Sequence, residues 1–168
     1  MNMDLQDVKK EWDKYRKLKA RHYLSVVRRA RNQLKTFTDE VIELKENVSI
    51  IKSAAPDGMP HNPNPSDDAL LNAICAYEAR CEKLNALCKE YNRIVLEADR
   101  VIASLNSHDV AAIAIYEHFL RDKSWYELEK ITGYSYSHLT NDILNDALIE
   151  LYGKMPHRFR DQIPRADG

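Results

Sequence analysis

Apolar residues recur in steps of three and four along most of this chain, the spacing that lays one stripe on an α-helix. Residues 3–53 contain neither Gly nor Pro and read as one long helix. Within it, Leu34, Phe37, Val41, Leu44, Val48 and Ile51 form a heptad seam that runs back through Ala30, Val27 and Tyr23. Leu5, Val8, Trp12 and Tyr15 form another heptad run offset by one residue, a stutter that relaxes supercoiling without ending the helix. A second long helix is predicted over 66–106, with Ser66 at its start and Asp67 and Asp68 in its first turn. Its seam is Leu70, Ile74, Tyr77, Cys81, Leu84, Cys88, Tyr91, Val95, Ala98, Ile102 and Leu105. Residues 54–65, which hold four of the six prolines and Gly58, break all periodicity and read as a turn-rich connector. A connector of that length between two seams favours an antiparallel helical hairpin, with parallel self-association of each helix as the alternative.

After a break at Asn106-Ser107, the segment HDVAAIAIYEHFL predicts a third helix with Val110, Ile113, Tyr116 (or Ala114) and Phe119 or Leu120 facing inward. Ser124 to Leu151 then reads as two short helices joined by a tight turn at Gly133, the outline of a helix-turn-helix. Ser124 and Glu127 make a capping box for the first of these. Gly133 supplies the backbone freedom a sharp turn needs. Ser135 is expected to cap the second helix, whose apolar row is Leu139, Ile143, Leu144, Ala147, Leu148 and Leu151. From Gly153 onward, Pro156 and Pro164 with Lys154, Arg158, Arg160 and Arg165 predict a flexible basic tail. The expected fold class is therefore all-α. A long antiparallel helical hairpin (1–53 and 66–106, joined by 54–65) is followed by a three-helix helix-turn-helix unit (107–152) and the tail (153–168).

Composition agrees with helix over sheet, with 4 Gly in 168 residues and 44% apolar content. The formal net charge of −1 hides an asymmetry. Residues 9–35 carry 11 Lys/Arg against only Glu11 and Asp13, leaving 14 basic and 24 acidic residues elsewhere. At about 100° per residue, Lys10, Lys14, Lys17, Arg21, Arg28 and Lys35 fall in a stripe roughly 60° wide and about 37 Å long, opposite the apolar residues. A solvated helix face usually mixes both signs. This one favours a surface for nucleic acid or another acidic partner, and these six residues are the candidate phosphate contacts. Pairing with the acidic C-terminal unit of a neighbouring copy is a third use.

Base readout is expected from Ser135, Tyr136, Ser137, His138 and Asn141, at the N-terminal end of the second helix of the pair, the end that recognition helices present to bases. The competing reading is a packing helix with a polar exposed face. The charged N-terminus and the lack of a membrane-length apolar run point to a cytoplasmic protein without a signal peptide. Cys75, Cys81 and Cys88, at helical spacing and odd in number, read as buried thiols rather than disulfides. No metal-ligand spacing, phosphate-binding glycine loop or nucleophile motif occurs, so neither metal, cofactor nor enzymatic activity is expected.

The order SHDVAAIAIYEHFLRDKSWYELEKITGYSYSHL resembles region 4 of bacterial sigma factors, as carried by small phage transcriptional regulators of the ArpU/RinA type. The matching residues are Tyr116, Leu120, Ser124, Trp125, Glu127, Leu128, Gly133, Tyr134 and Ser135, and Gly58-Met59-Pro60 in the connector also looks familiar for that group. The chain departs from the pattern at Glu129, where a small residue is usual, and at Thr132, where an apolar one is. It also has no Arg or Lys between Tyr134 and Leu151, where Asp142, Asp146 and Glu150 stand instead. The resemblance implies a phage-encoded, double-stranded-DNA-binding transcriptional regulator in the host bacterial cytoplasm, with the homodimer that coiled-coil arms suggest. The alternative is a non-enzymatic coiled-coil adaptor, binding host RNA polymerase for instance, with a degenerate helix-turn-helix.

Overall fold

A computed structural model describes residues 5–54 and 65–160, with side chains for 5–50 and 71–160. The elements are α1 (Leu5–Ala54), α2 (Pro65–Ala103) and α3 (Ala111–Ile115), which continues as a π-helical turn over Tyr116–Leu120. Then come α4 (Trp125–Thr132) and α5 (Tyr136–His138), the latter running through a second π-helical turn at Leu139–Ile143 into α6 (Leu144–Lys154). α7 (His157–Arg160) follows. Among the described residues there is no strand, and the fold is all-α with two long helices followed by short ones. The predicted connector core, including Gly58-Met59-Pro60, lies outside the described residues, as does Arg165. α2 begins at Pro65, a residue suited to a first helical position because it has no N–H to leave unpaired. It ends at Ala103, three residues before the expected boundary.

The chain divides into two compact units. One comprises Arg31–Arg93, where the later part of α1 meets the earlier part of α2. Their direction is fixed by three cross-helix contacts. Phe37 packs on Tyr91 with ring centroids 5.8 Å apart, Thr38 Oγ1 meets Cys88 Sγ, and Arg80 donates twice to Glu40. Numbers rise on one helix as they fall on the other, so the pair is antiparallel. Val41, Cys81 and Leu84 are buried along the seam, as the heptads predict. Cys88 is half-buried, but Cys75 is exposed, contrary to the expectation of three buried thiols. It follows seam residue Ile74 by one position, and about 100° of helical rotation carries it outward.

The other unit comprises Met1–Ala30 and Ile94–Gly168. Its core joins Ala20, Tyr23, Leu24 and Val27 of α1 and Ala98 and Ile102 of α2 to the C-terminal helices. The row Leu139, Ile143, Leu144, Ala147, Leu148 and Leu151 is buried throughout. The third helix turns inward the expected Ala114 and Leu120, with Val110, Tyr116 and Phe119 packed against the core, and departs from expectation only at Ile113. Ala111, Ala114 and Ile115 are buried while Ile113 is 46% exposed, because the two alanines let the helix lie close against its neighbours. The segment after Gly153 is folded rather than loose as far as Arg160. Met155 is fully buried, and Phe159 packs on Tyr23 with centroids 4.9 Å apart, apolar anchors that outweigh a basic composition.

Candidate nucleic-acid interface

The helix pair is held by its turn chemistry. Ser124 stands at the N-cap of α4 in extended conformation, its hydroxyl accepts from Glu127 N–H, and the Glu127 carboxylate accepts from Ser124 N–H. The Ser124 backbone and hydroxyl, together with Lys123, hold the Glu127 carboxyl below its usual range. Gly133 ends α4 in the left-handed region at φ 75°, its N–H donating to Glu129 O at 2.8 Å.

Ser135 occupies the N-cap of α5 but makes no side-chain capping bond, contrary to expectation. The capping role passes to Glu129, whose carboxylate reaches across the turn to accept the Tyr136 N–H. The residue that departs from the sigma-like pattern therefore serves the turn directly. Its longer side chain spans a gap that a small residue leaves open.

The expected readout residues are brought together on α5 and the π turn after it. Tyr136 is 53% exposed and sets its ring edge-on to Trp125 at 5.3 Å. Trp125 in turn packs on the His118 ring at 3.8 Å. His118 is fixed by an Nδ1–H bond to Lys123 O at 3.0 Å, since a carbonyl can only accept. Asn141 donates to Ser137 Oγ at 3.1 Å, and Ser135, Ser137 and Asn141 are exposed. His138 is half-buried and bonds Asp142 at 2.7 Å.

The three acids on this helix are engaged by their own unit. Asp142 pairs with His138, Asp146 lies 3.6 Å from His108, and Glu150 pairs with Lys154 at 2.7 Å. Glu150 also accepts the Asn106 and Ser107 N–H groups, tying the loop after α2 to α6. Burial alone would raise its carboxyl. The bonds from Lys154 and from the two backbone amides more than offset this and bring it down to about 2. Glu150 is thus matched by a lysine, while Asp142 and Asp146 keep side chains 57 and 62% exposed.

The basic stripe divides into engaged and open members. Arg28 grips Asp122 with both terminal nitrogens at 2.9 and 3.0 Å. Lys17 Nζ donates to Asn145 Oδ1 at 3.0 Å, which puts α1 directly beside α6. Lys10 and Lys14 make only long, exposed contacts to Asp7 and Glu11, at 4.0 and 3.9 Å. Lys35 is exposed and belongs to the other unit. Arg21 lines an open cavity of about 500 Å³ with Trp125, Tyr136, Thr140, Asn141 and Asn145. One candidate phosphate contact and two candidate base contacts thus share a single cleft. Of the predicted tail, Lys154 serves Glu150, Arg158 pairs with Glu97, and Arg160 donates to the Met155 and Gly153 carbonyls.

Asn145 is a member of this site that the sequence did not single out, and Trp125 and Glu129, noted there only for the sigma-like pattern, are members it did not count as such. For Glu129 a signal existed, a carboxylate seven residues before the unpaired N–H of Tyr136 and on the far side of a tight turn. Among the described residues no group of three or more His, Cys, Asp or Glu side chains is set to hold a metal ion, and no helix is long and apolar enough to cross a membrane. No family model, curated protein or solved structure matches the chain.

Proposed function

We propose that this chain is a DNA-binding transcriptional regulator of the phage ArpU/RinA type, in which a sigma-region-4-like helix pair is presented to a promoter by a coiled-coil arm. The observation that carries this reading is the shared cleft in which Arg21 of α1 stands beside Tyr136 and Asn141 of the recognition segment. Arg21, Lys14 and Lys10 contact phosphates, and Ser137 and Asn141 read base edges, Asn141 by its two-pronged match to adenine. Tyr136, braced by Trp125, packs beside them. The engagement of Glu150 by Lys154 and by two backbone amides supports the reading, because this carboxylate is turned to structural use. Two copies acting together give the two-fold symmetry that paired half-sites require.

A salt series on duplex binding tests this. For a regulator, log K falls steeply with log salt, by about 0.9 per phosphate contacted. Lys14→Gln and Arg21→Gln flatten that slope, Asn141→Ala relaxes sequence preference, and Arg28→Gln, whose charge already serves Asp122, leaves the slope in place. Absence of duplex binding at low salt sinks the proposal.

A second reading draws on a different surface. Ile113 of α3 and Tyr126 and Ile131 of α4 are exposed by 46, 64 and 49%. Exposed apolar groups in this number suit an adaptor that docks on a protein such as host RNA polymerase. Pull-down of purified polymerase without DNA, lost in Ile131→Glu, would favour it.

A further inference from the structure

The first turns of α1 expose an apolar seam that its own unit covers only at one edge. Leu5, Val8, Trp12 and Tyr15 follow heptad positions a, d, a, d, and they are exposed by 86, 44, 46 and 39%, with Leu18 beside them at 55%. Trp12 and Tyr15 stack on each other at 5.3 Å, and Tyr152 touches both rings edge-on at about 6 Å. We infer that a second copy of this chain covers the seam as a parallel, in-register two-stranded coiled coil over residues 5–18.

Charge selects that occupant and its direction. With Leu5 and Trp12 at a, the e positions are Lys9 and Arg16 and the g position between them is Glu11. In a parallel pair each g residue faces the e residue of the following heptad on the other helix, which sets Glu11 against Arg16 of the second copy. In an antiparallel pair g faces g and e faces e, so that Glu11 meets Glu11 and Lys9 meets Lys9, like against like.

Contacts within its own chain hold Arg16 at the edge of the seam. Its guanidinium lies over the Trp12 ring at 5.1 Å and 3.6 Å from Asp13, yet its Nε is buried without a hydrogen-bond acceptor. Lys10, Lys14 and Lys17 occupy positions f, c and f, away from the seam, so pairing leaves the basic stripe of each copy open. The inference takes from the proposed function only the number of copies and does not need DNA.

Sedimentation over about 1 to 200 µM tests it, since two heptads form an interface at the small end of the specific range. The expected result is a dimer that Val8→Glu with Trp12→Glu converts to monomer, while helicity by circular dichroism and Trp125 fluorescence stay unchanged. Val8→Cys, with the exposed Cys75 changed to Ser, should oxidise to a covalent dimer, because in register the two Cβ atoms come within about 4.5 Å. An antiparallel pair, in which a packs on d, sets Val8 opposite Trp12 and offsets the two Val8 positions by about 6 Å along the axis at 1.5 Å per residue. A monomer at every concentration overturns the inference. So does a dimer that survives the double glutamate variant, or one that cross-links only through Val8→Cys with Trp12→Cys. The salt series is read separately, so a seam dimer that binds no DNA would remove the regulator reading and leave this one standing.

Discussion

Arg28 and Asp122, ninety-four residues apart in sequence, meet in a two-pronged ion pair at 2.9 and 3.0 Å. Asp122 sits at φ 60°, in the left-handed region, and is the one such non-glycine among the described residues. Short polar side chains tolerate that region best. The pair therefore pins a strained loop, between the first π turn and α4, to the first helix. Both side chains are well exposed, at 42 and 71%, so a double-mutant cycle of Arg28→Ala and Asp122→Asn should give a coupling of only about 0.5–1 kcal/mol in urea melts. Arg28→Lys should lose most of it, because an ammonium cannot form the fork.

Glu129→Ala should destabilise the turn by about 1 kcal/mol, the usual worth of an N-cap acceptor. Ser135→Ala should be nearly neutral, since its hydroxyl caps nothing. Amide exchange at Tyr136 distinguishes the two, speeding up in the first variant and not in the second.

Gly133→Ala meets no steric obstacle, as nothing lies within 4 Å of the added methyl. The cost is therefore conformational alone, about 1–2 kcal/mol for holding an alanine at φ 75°. Gly133→Asn should cost less. Equal losses in thermal melts would show that the turn rearranges rather than bearing the strain.

Acid should loosen the junction between the loop after α2 and α6. The Glu150 carboxyl titrates near 4.5 in the unfolded chain and at about 2 in the folded one. The unfolded state thus binds the proton first. The stabilisation is in place above pH 4.5 and is lost as pH falls from there toward 2. With solvent screening it amounts to about 1 kcal/mol. Glu150→Gln should abolish this part of the acid dependence, and identical acid profiles for the two proteins would refute the assignment.

Alkali should act through Tyr23. Burial, reinforced by Glu97, pushes its phenol up to about 12 from 10.0. The neutral form is favoured in the fold, so the contribution is present below pH 10 and disappears as pH rises through 12. Its hydroxyl has no hydrogen-bond partner. Tyr23→Phe should accordingly be neutral or stabilising by up to about 1 kcal/mol, and should remove the last tyrosine to ionise in a spectroscopic titration.

The helices, the hairpin seams and the turn at Gly133 were legible in the sequence because each depends on residues within a turn or two of one another. What was hidden depends on distant partners. Glu150 looks like a phosphate-repelling charge until Asn106 and Ser107 are seen to donate to it, and Arg28 looks like a phosphate contact until Asp122 meets it. Met155 and Phe159 went unnoticed because two isolated apolar residues set no period, although Tyr23 and the core around it were waiting to receive them. The outward Ile113 shows a related limit. Period alone does not say whether a helix packs on its largest side chains or on its smallest.

The wide turn at Leu139–Ile143, where Leu144 N–H reaches back five residues to Leu139 O, holds one residue more than a regular helical turn would. It acts as a reserve of length in the recognition segment. Removing a single residue there, Thr140 for example, should leave an ordinary helix with the residues before and after still in phase. The same deletion between Ala147 and Leu151 would swing everything beyond it by about 100° and pull Leu151 and Met155 out of the core. The chain should therefore absorb a one-residue gap next to its candidate reading surface and fail to absorb the same gap two turns later, a contrast that paired thermal melts would read directly.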